Sequence, residues 1–121
     1  MPSLFGPEPA HDWCYYFEQI ERAVQLGQWD QAAGLADQAL QAKPALTRDN
    51  AAELTPLIIA YARYGRYDRA LELSLTANKL SDKLTGSLCD TWYTLSRQIP
   101  ADPAFQSVYA SLNQEIQCPQ P

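Results

Sequence analysis

The stretch YGRYDRAL, residues 64 to 71, has a near copy, LGQWDQAA, at residues 26 to 33, so one short phrase occurs twice at an offset of 38 residues. Overlaying the two copies pairs Ile20 with Ile58, Gly27 with Gly65, Trp29 with Tyr67, Asp30 with Asp68, Ala32 with Ala70, Leu35 with Leu73 and Ala39 with Ala77. In each copy apolar residues at helical spacing precede a glycine; an aromatic residue, an aspartate and a second helical run rich in small residues follow it. The physical content is a helix, a tight turn and a second helix. Glycine supplies the left-handed backbone that closes the first helix. The aspartate caps or charge-complements the exposed N–H groups that open the second. Ala32, Ala36 and Ala39 form a stripe at i, i+4 and i+7, as do Ala70, Ser74 and Ala77, and the lack of bulk lets a neighbouring helix approach closely.

A third, divergent unit follows, because 34 residues beyond Asp68 and Ala70 stand Asp102 and Ala104. Its turn has no glycine; Asp102 is placed to cap a helix that has Pro103 at its first position, where a missing N–H is harmless. The pattern predicts six helices, over about 12 to 26, 29 to 43, 50 to 64, 67 to 81, 84 to 98 and 103 to 116. They group into units 12–43, 50–81 and 84–116 within a helical domain spanning 11–116, flanked by a proline-rich lead-in over 1–10 and a tail over 117–121. Asn50 with Glu53 offers a capping box for the third helix. Pro56 predicts either a bend in that helix or a restart with Thr55 as cap.

Composition narrows the function classes. The 121 residues carry 9 Lys and Arg against 14 Asp and Glu, a net charge of −5, with no basic run of the kind that nucleic acid or an anionic membrane surface requires. The longest apolar run, Leu57 to Ala62, is far short of the roughly 20 residues that span a bilayer, so direct membrane insertion by this segment is not expected. Cys14, Cys89 and Cys118 have only His11 for company and lack zinc-ligand spacing. They read as free, partly buried thiols. A sharper alternative pairs Cys89 with Cys118: the last two helices form an antiparallel hairpin, and a tail folding back over one helical turn closes the bridge.

These residues resemble the tetratricopeptide repeat family. GQWDQAAGLADQALQAKP and GRYDRALELSLTA look like its glycine, aromatic, small-residue and terminal-proline signature, with Pro44 at the proline position. The departures are Gln19 and Ile20 where the family favours leucine then glycine, Asp82 where the second unit's proline would stand, and a third unit that keeps little beyond Asp102 and Ala104. The resemblance implies an all-α fold of three antiparallel helix pairs stacked as a short right-handed superhelical array, and a non-catalytic protein–protein interaction or assembly module. A second likeness runs through FGPEPAHDWCYYFEQIERAVQLGQWDQAAGLADQAL, LTPLIIAYARYGRYDRA and LCDTWYTL. These look like the soluble C-terminal tail of bacterial polytopic membrane proteins of the glycosyltransferase type. That resemblance implies an accessory domain that docks on its own membrane part or positions an acceptor.

No constellation for catalysis emerges from the residues themselves. His11 with Cys14 is the one thinkable nucleophile pair, Glu18 and Glu21 have the spacing of a solvated helix face, and no phosphate loop or hydrolase motif is present. An enzyme is not expected, and no cofactor or metal is called for. Arg63, Arg66 and Arg69 gather at one corner, where Asp68 and Glu72 are close enough to neutralise them. Trp13, Tyr16 and Ile20 form the stripe expected to face the core. The adjacent stripe, carried forward one repeat at a time, makes a concave groove with Phe17, Glu21, Arg63, Tyr93 and Arg97 as candidate binding residues. The two arginines have no carboxylate at i−4 or i+4, so the groove is expected to take an extended protein or peptide segment, from a partner or from the parent protein, with an acidic group near them. Each of Phe17, Ile59 and Tyr93 is equally well explained as interhelical packing.

Overall fold

The computed structural model describes residues 13–42 and 46–119, and these are all-α. Pro44, placed at the family's terminal proline, and His11 lie outside the described residues. Six α-helices run α1 Trp13–Gln25, α2 Trp29–Ala42, α3 Thr55–Tyr64, α4 Tyr67–Leu80, α5 Thr85–Gln98 and α6 Pro103–Ile116, with 3-10 turns over Arg48–Leu54 and Asp82–Leu84. No described helix is long and apolar enough to cross a membrane.

The duplicated phrase builds the same lock twice. Gly27 and Gly65 adopt φ of 71° and 96°, a left-handed conformation that residues with a Cβ rarely adopt. Around them Gln28 N donates to Ala23 O at 2.9 Å and Arg66 N to Tyr61 O at 2.8 Å, while each glycine N–H returns to the carbonyl three residues back. This is the two-bond closure that satisfies orphan carbonyls at a helix end. Asp30 and Asp68 then sit in the first turns of α2 and α4, complementing the positive helix ends. The divergent third unit uses the other device, with Asp102 Oδ1 accepting from Ala104 N at 2.9 Å and Pro103 opening α6. Tyr67 Oη donates to Asp102 Oδ2 at 2.8 Å, tying the start of α4 to that of α6.

The entry to α3 departs from the expected capping box. Asn50 lies inside the 3-10 turn rather than capping it; its Oδ1 accepts from Thr47 N at 2.8 Å, so the box is displaced three residues upstream. Glu53 accepts instead from Trp13 Nε1 at 2.8 Å, pinning α1 to the connection. Pro56 is accommodated by a restart: the 3-10 turn ends and α3 begins at Thr55, which puts the proline in the first turn with Leu54, not Thr55, at the cap.

Helix α2 packs against α1 and α3; α4 packs against α3, α5 and α6. The small stripes explain how closely: Ala32, Ala36, Ala39, Ala70, Ser74 and Ala77 are all buried. Trp13, Tyr16 and Ile20 face the core as expected. Its largest fully buried side chain is Trp92, stacked on Phe105 with ring centroids 5.8 Å apart, and its indole Nε1 donates to buried Ser74 Oγ at 2.8 Å. Ser74 in turn donates to Ala70 O at 2.8 Å, so the one polar member of the stripe is there to satisfy the tryptophan.

Candidate functional site

Helices α1, α3 and α5 stand side by side, with α1 against α3 and α3 against α5. Two concavities run along this row and adjoin at Val24 and Ile59, which line both; together they are the groove. The smaller, about 320 Å³, lies between α1 and α3 and is walled by Phe17, Glu21, Gln25, Thr55 and Pro56. The larger, about 730 Å³, lies between α3, α5 and the α1–α2 corner. Its apolar wall is Val24, Ile59 and the indole of Trp29, with Arg63 at one end; Leu95 of α5 also lines it. Helix α5 contributes Ser87, Asp90, Thr91, Thr94 and Gln98, a polar strip facing that wall.

Arg63 is half-buried and held from two sides. Its guanidinium lies 4.5 Å from the Trp29 ring centroid, and its Nη1 donates to Gln98 Oε1 at 2.9 Å. The two ion pairs among the described residues are Arg66–Asp37 and Arg69–Glu72, and Arg63 is in neither. Stacking on an aromatic face holds a guanidinium without neutralising it. Asp90 borders the same concavity and is likewise in no ion pair among the described residues.

Three of the five sequence-nominated residues, Phe17, Glu21 and Arg63, thus line the groove. Tyr93 and Arg97 do not. Tyr93 borders a neighbouring hollow of about 400 Å³ with Tyr109, Asn113, Cys118 and Pro119, which meets the larger concavity at Asp90. Arg97 caps Tyr93, its guanidinium 5.9 Å from that ring and its Nη1 donating to the phenol oxygen at 3.3 Å. The expectation that both arginines look into one channel is therefore corrected: Arg63 does and Arg97 does not. The buried stripe of α5, Leu88, Trp92 and Leu95, keeps the 34-residue offset from Leu54 at the cap of α3 and from Ile58 and Tyr61 within it. Its two flanks, however, meet different surroundings. The flank with Cys89 and Tyr93 turns to α6, because Cys89 is bonded to Cys118 with a Cα–Cα distance of 5.6 Å. The other flank, Thr91 and Thr94, is left to complete the groove.

The disulfide is the sharper of the two cysteine readings, and the tail makes it possible. Gln117 takes a left-handed φ of 57°, and Cys118 N donates to Asn113 O at 3.0 Å, which reverses the chain at the end of α6 and points Cys118 back toward α5. Cys14 is a free, exposed thiol on α1.

The arginine corner is neutralised through a partner that helix spacing does not reveal. Arg66 Nη1 donates to Asp37 Oδ2 at 2.8 Å, reaching from the α3–α4 turn to α2, and Arg69 pairs with Glu72. Tyr61, fully buried, donates its hydroxyl to Asp37 Oδ1 at 2.6 Å. Burial, followed by the hydrogen bond to Asp37, pushes the Tyr61 phenol up to about 12. Burial works against ionisation of Asp37, but the hydrogen bonds from Tyr61 and Arg66 and the charges of Arg66 and Arg69 outweigh it and hold the carboxyl below its usual range. This cluster fastens α2 to α3 and leaves Arg63 as the arginine presented to the groove.

Compared with protein-family models, with curated proteins and with solved structures, the chain finds no match in any of the three.

Proposed function

We propose that this chain is a non-catalytic, tetratricopeptide-like interaction or assembly module whose α1–α3–α5 groove takes an extended peptide or loop. The observation that carries the reading is Arg63, oriented by Trp29 and Gln98 at the end of a groove and in no ion pair among the described residues. A guanidinium so placed has donors left for an incoming carboxylate, and pre-orientation lowers the entropy lost when it binds. The partner is accordingly a protein segment with an acidic side chain, supplied by another chain or by the membrane portion of a parent protein.

The Cys89–Cys118 bond favours a second reading in particular, an accessory C-terminal domain of a bacterial membrane glycosyltransferase that docks on its own membrane part or positions an acceptor. Disulfides persist in oxidising compartments, where the exported tail of such a protein would lie. Finding transmembrane segments upstream in the same reading frame would support it directly, and finding none would remove it.

The test is fluorescence anisotropy with two pools of capped nine-residue peptides, one with glutamate fixed at the centre and one with glutamine. Hydrogen bonds to a charged group contribute about 1.5 to 3 kcal/mol, so the glutamate pool should bind at least about tenfold tighter, and Arg63→Met, which keeps the apolar stem over Trp29, should abolish the difference. Equal binding of the two pools by the unsubstituted chain contradicts the reading.

A further inference from the structure

The polar strip on α5 has a spacing that selects among extended segments, and the inference drawn from it rests on the groove being a peptide site. Ser87, Thr91, Thr94 and Gln98 stand four, three and four residues apart. At 1.5 Å rise per residue that is a side-chain hydrogen-bonding group every ~5.5 Å, close to the ~6.6 Å at which an extended chain repeats its N–H and C=O groups along one edge. Thr91 Oγ1 already donates to Ser87 O at 2.9 Å and Gln98 Oε1 accepts from Arg63, so Thr91 offers an oxygen to a backbone N–H, Gln98 its amide N–H groups to a carbonyl, and the hydroxyls of Ser87 and Thr94 either one, which lets the strip serve a backbone edge whatever side chains the segment carries. The whole strip is about 16 Å long, enough for some five extended residues.

Two charges mark this strip. Arg63 is bonded to Gln98 at one end, and Asp90 lies eight residues earlier on the same helix. Eight residues of helix rise about 12 Å. In an extended chain, residues i and i+4 lie about 13 Å apart and point to the same side, whereas i+3, at about 10 Å, points to the other. Between the two charges the facing wall is apolar, formed by Ile59 and Val24.

We infer that the segment this groove recognises carries an acidic residue against Arg63, a basic residue four positions away against Asp90, and an apolar residue midway between them, with its backbone edge on the threonine strip. Opposite charges at a fixed spacing give register as well as attraction, because a slip of one residue turns both charged side chains away. A segment with two acidic residues at that spacing brings a carboxylate to Asp90 and is selected against.

The test uses the whole 121-residue chain and capped eleven-residue peptide pools with glutamate fixed centrally and lysine moved through every position on either side. Affinity should peak with lysine four residues from glutamate, on one side, by about threefold over the other positions, the range of an exposed charge pair. Asp90→Lys should reverse the preference, so that glutamate replaces lysine as the favoured residue there. Exchanging Thr91 and Thr94 together for valine should weaken all pools alike without moving the peak, since these residues serve the backbone. A flat lysine profile with the central glutamate preference intact overturns this register while leaving the peptide groove standing. Loss of the glutamate preference itself overturns both.

Discussion

Replacing Ser74 by alanine isolates one buried hydrogen bond and the packing it permits. Ser74 and Trp92 are both fully buried, and the indole Nε1 has Ser74 Oγ at 2.8 Å as its partner. Alanine is smaller and fits the stripe, so no overpacking results. The change leaves the indole N–H buried with no acceptor, a penalty of about 1 to 3 kcal/mol. Against it stands the release of the serine's bond to Ala70 O and the better helix propensity of alanine, together about half a kcal/mol. The net expectation is a loss of about 0.5 to 2.5 kcal/mol, read as a fall in denaturant midpoint at unchanged slope. For a domain of a little over 100 residues, that is a fall in Tm of about 2 to 10 °C. A double-mutant cycle with Trp92→Phe sharpens the test: phenylalanine has no N–H to satisfy, so Ser74→Ala in that background should be neutral or slightly stabilising, with a coupling of about 1 kcal/mol or more. Additive effects, or an unchanged Tm for Ser74→Ala alone, refute the placement of the indole against α4 and with it the α4–α5–α6 packing described above.

Ala70→Phe forces a ring into the contact between helices and should destabilise by about 1 to 3 kcal/mol; unchanged thermal unfolding places Ala70 on the surface. Reduction of Cys89–Cys118 opens a closure of 29 residues' separation and should lower stability by about 3 to 4 kcal/mol on the chain-entropy account. Alkylation of the unreduced protein should label Cys14 alone, and labelling of all three cysteines removes the bridge. The Asp37–Tyr61 pair predicts a stability profile with two limbs. The Asp37 carboxyl sits below its unfolded value, so its contribution is present above the usual carboxylate range and is lost as pH falls through the folded value. Tyr61 is raised from 10.0 to about 12, so its contribution is present below pH 10 and disappears as pH rises toward 12. Urea midpoints measured across pH check both limbs, Asp37→Asn removing the acid one and Tyr61→Phe the alkaline one.

The repeat was legible because it is written in residues with one dominant physical role. A glycine between a helical run and an aromatic–aspartate pair has few alternatives to a left-handed helix end, and Gly27 and Gly65 adopt it. The small stripes were legible for the same reason, and so was the cap at Asp102. What could not be read was which flank of α5 meets α3. Cys89, Thr91, Tyr93, Thr94 and Ser96 flank the buried Trp92 on both sides, and neither side is clearly the more apolar. Carrying the repeat forward nominated the flank with Tyr93, whereas the reversal at Gln117 and the bond from Cys118 claim that flank for the tail. Thr91, Thr94 and Gln98 were missed accordingly; the four-three-four spacing of hydroxyl and amide residues from Ser87 was the available signal. The pairing of Arg66 with Asp37 was also out of reach, since a partner 29 residues away on another helix leaves no periodic trace.

The most direct test of the groove is amide chemical-shift mapping on the labelled chain, titrated with a glutamate-centred peptide taken from the pools above. The account predicts that perturbations collect on Val24, Ile59, Arg63, Thr91 and Thr94 and vanish in Arg63→Met at the same peptide concentration. Perturbations spread over the outer surfaces of α2, α4 and α6, with those five amides unmoved, would contradict it.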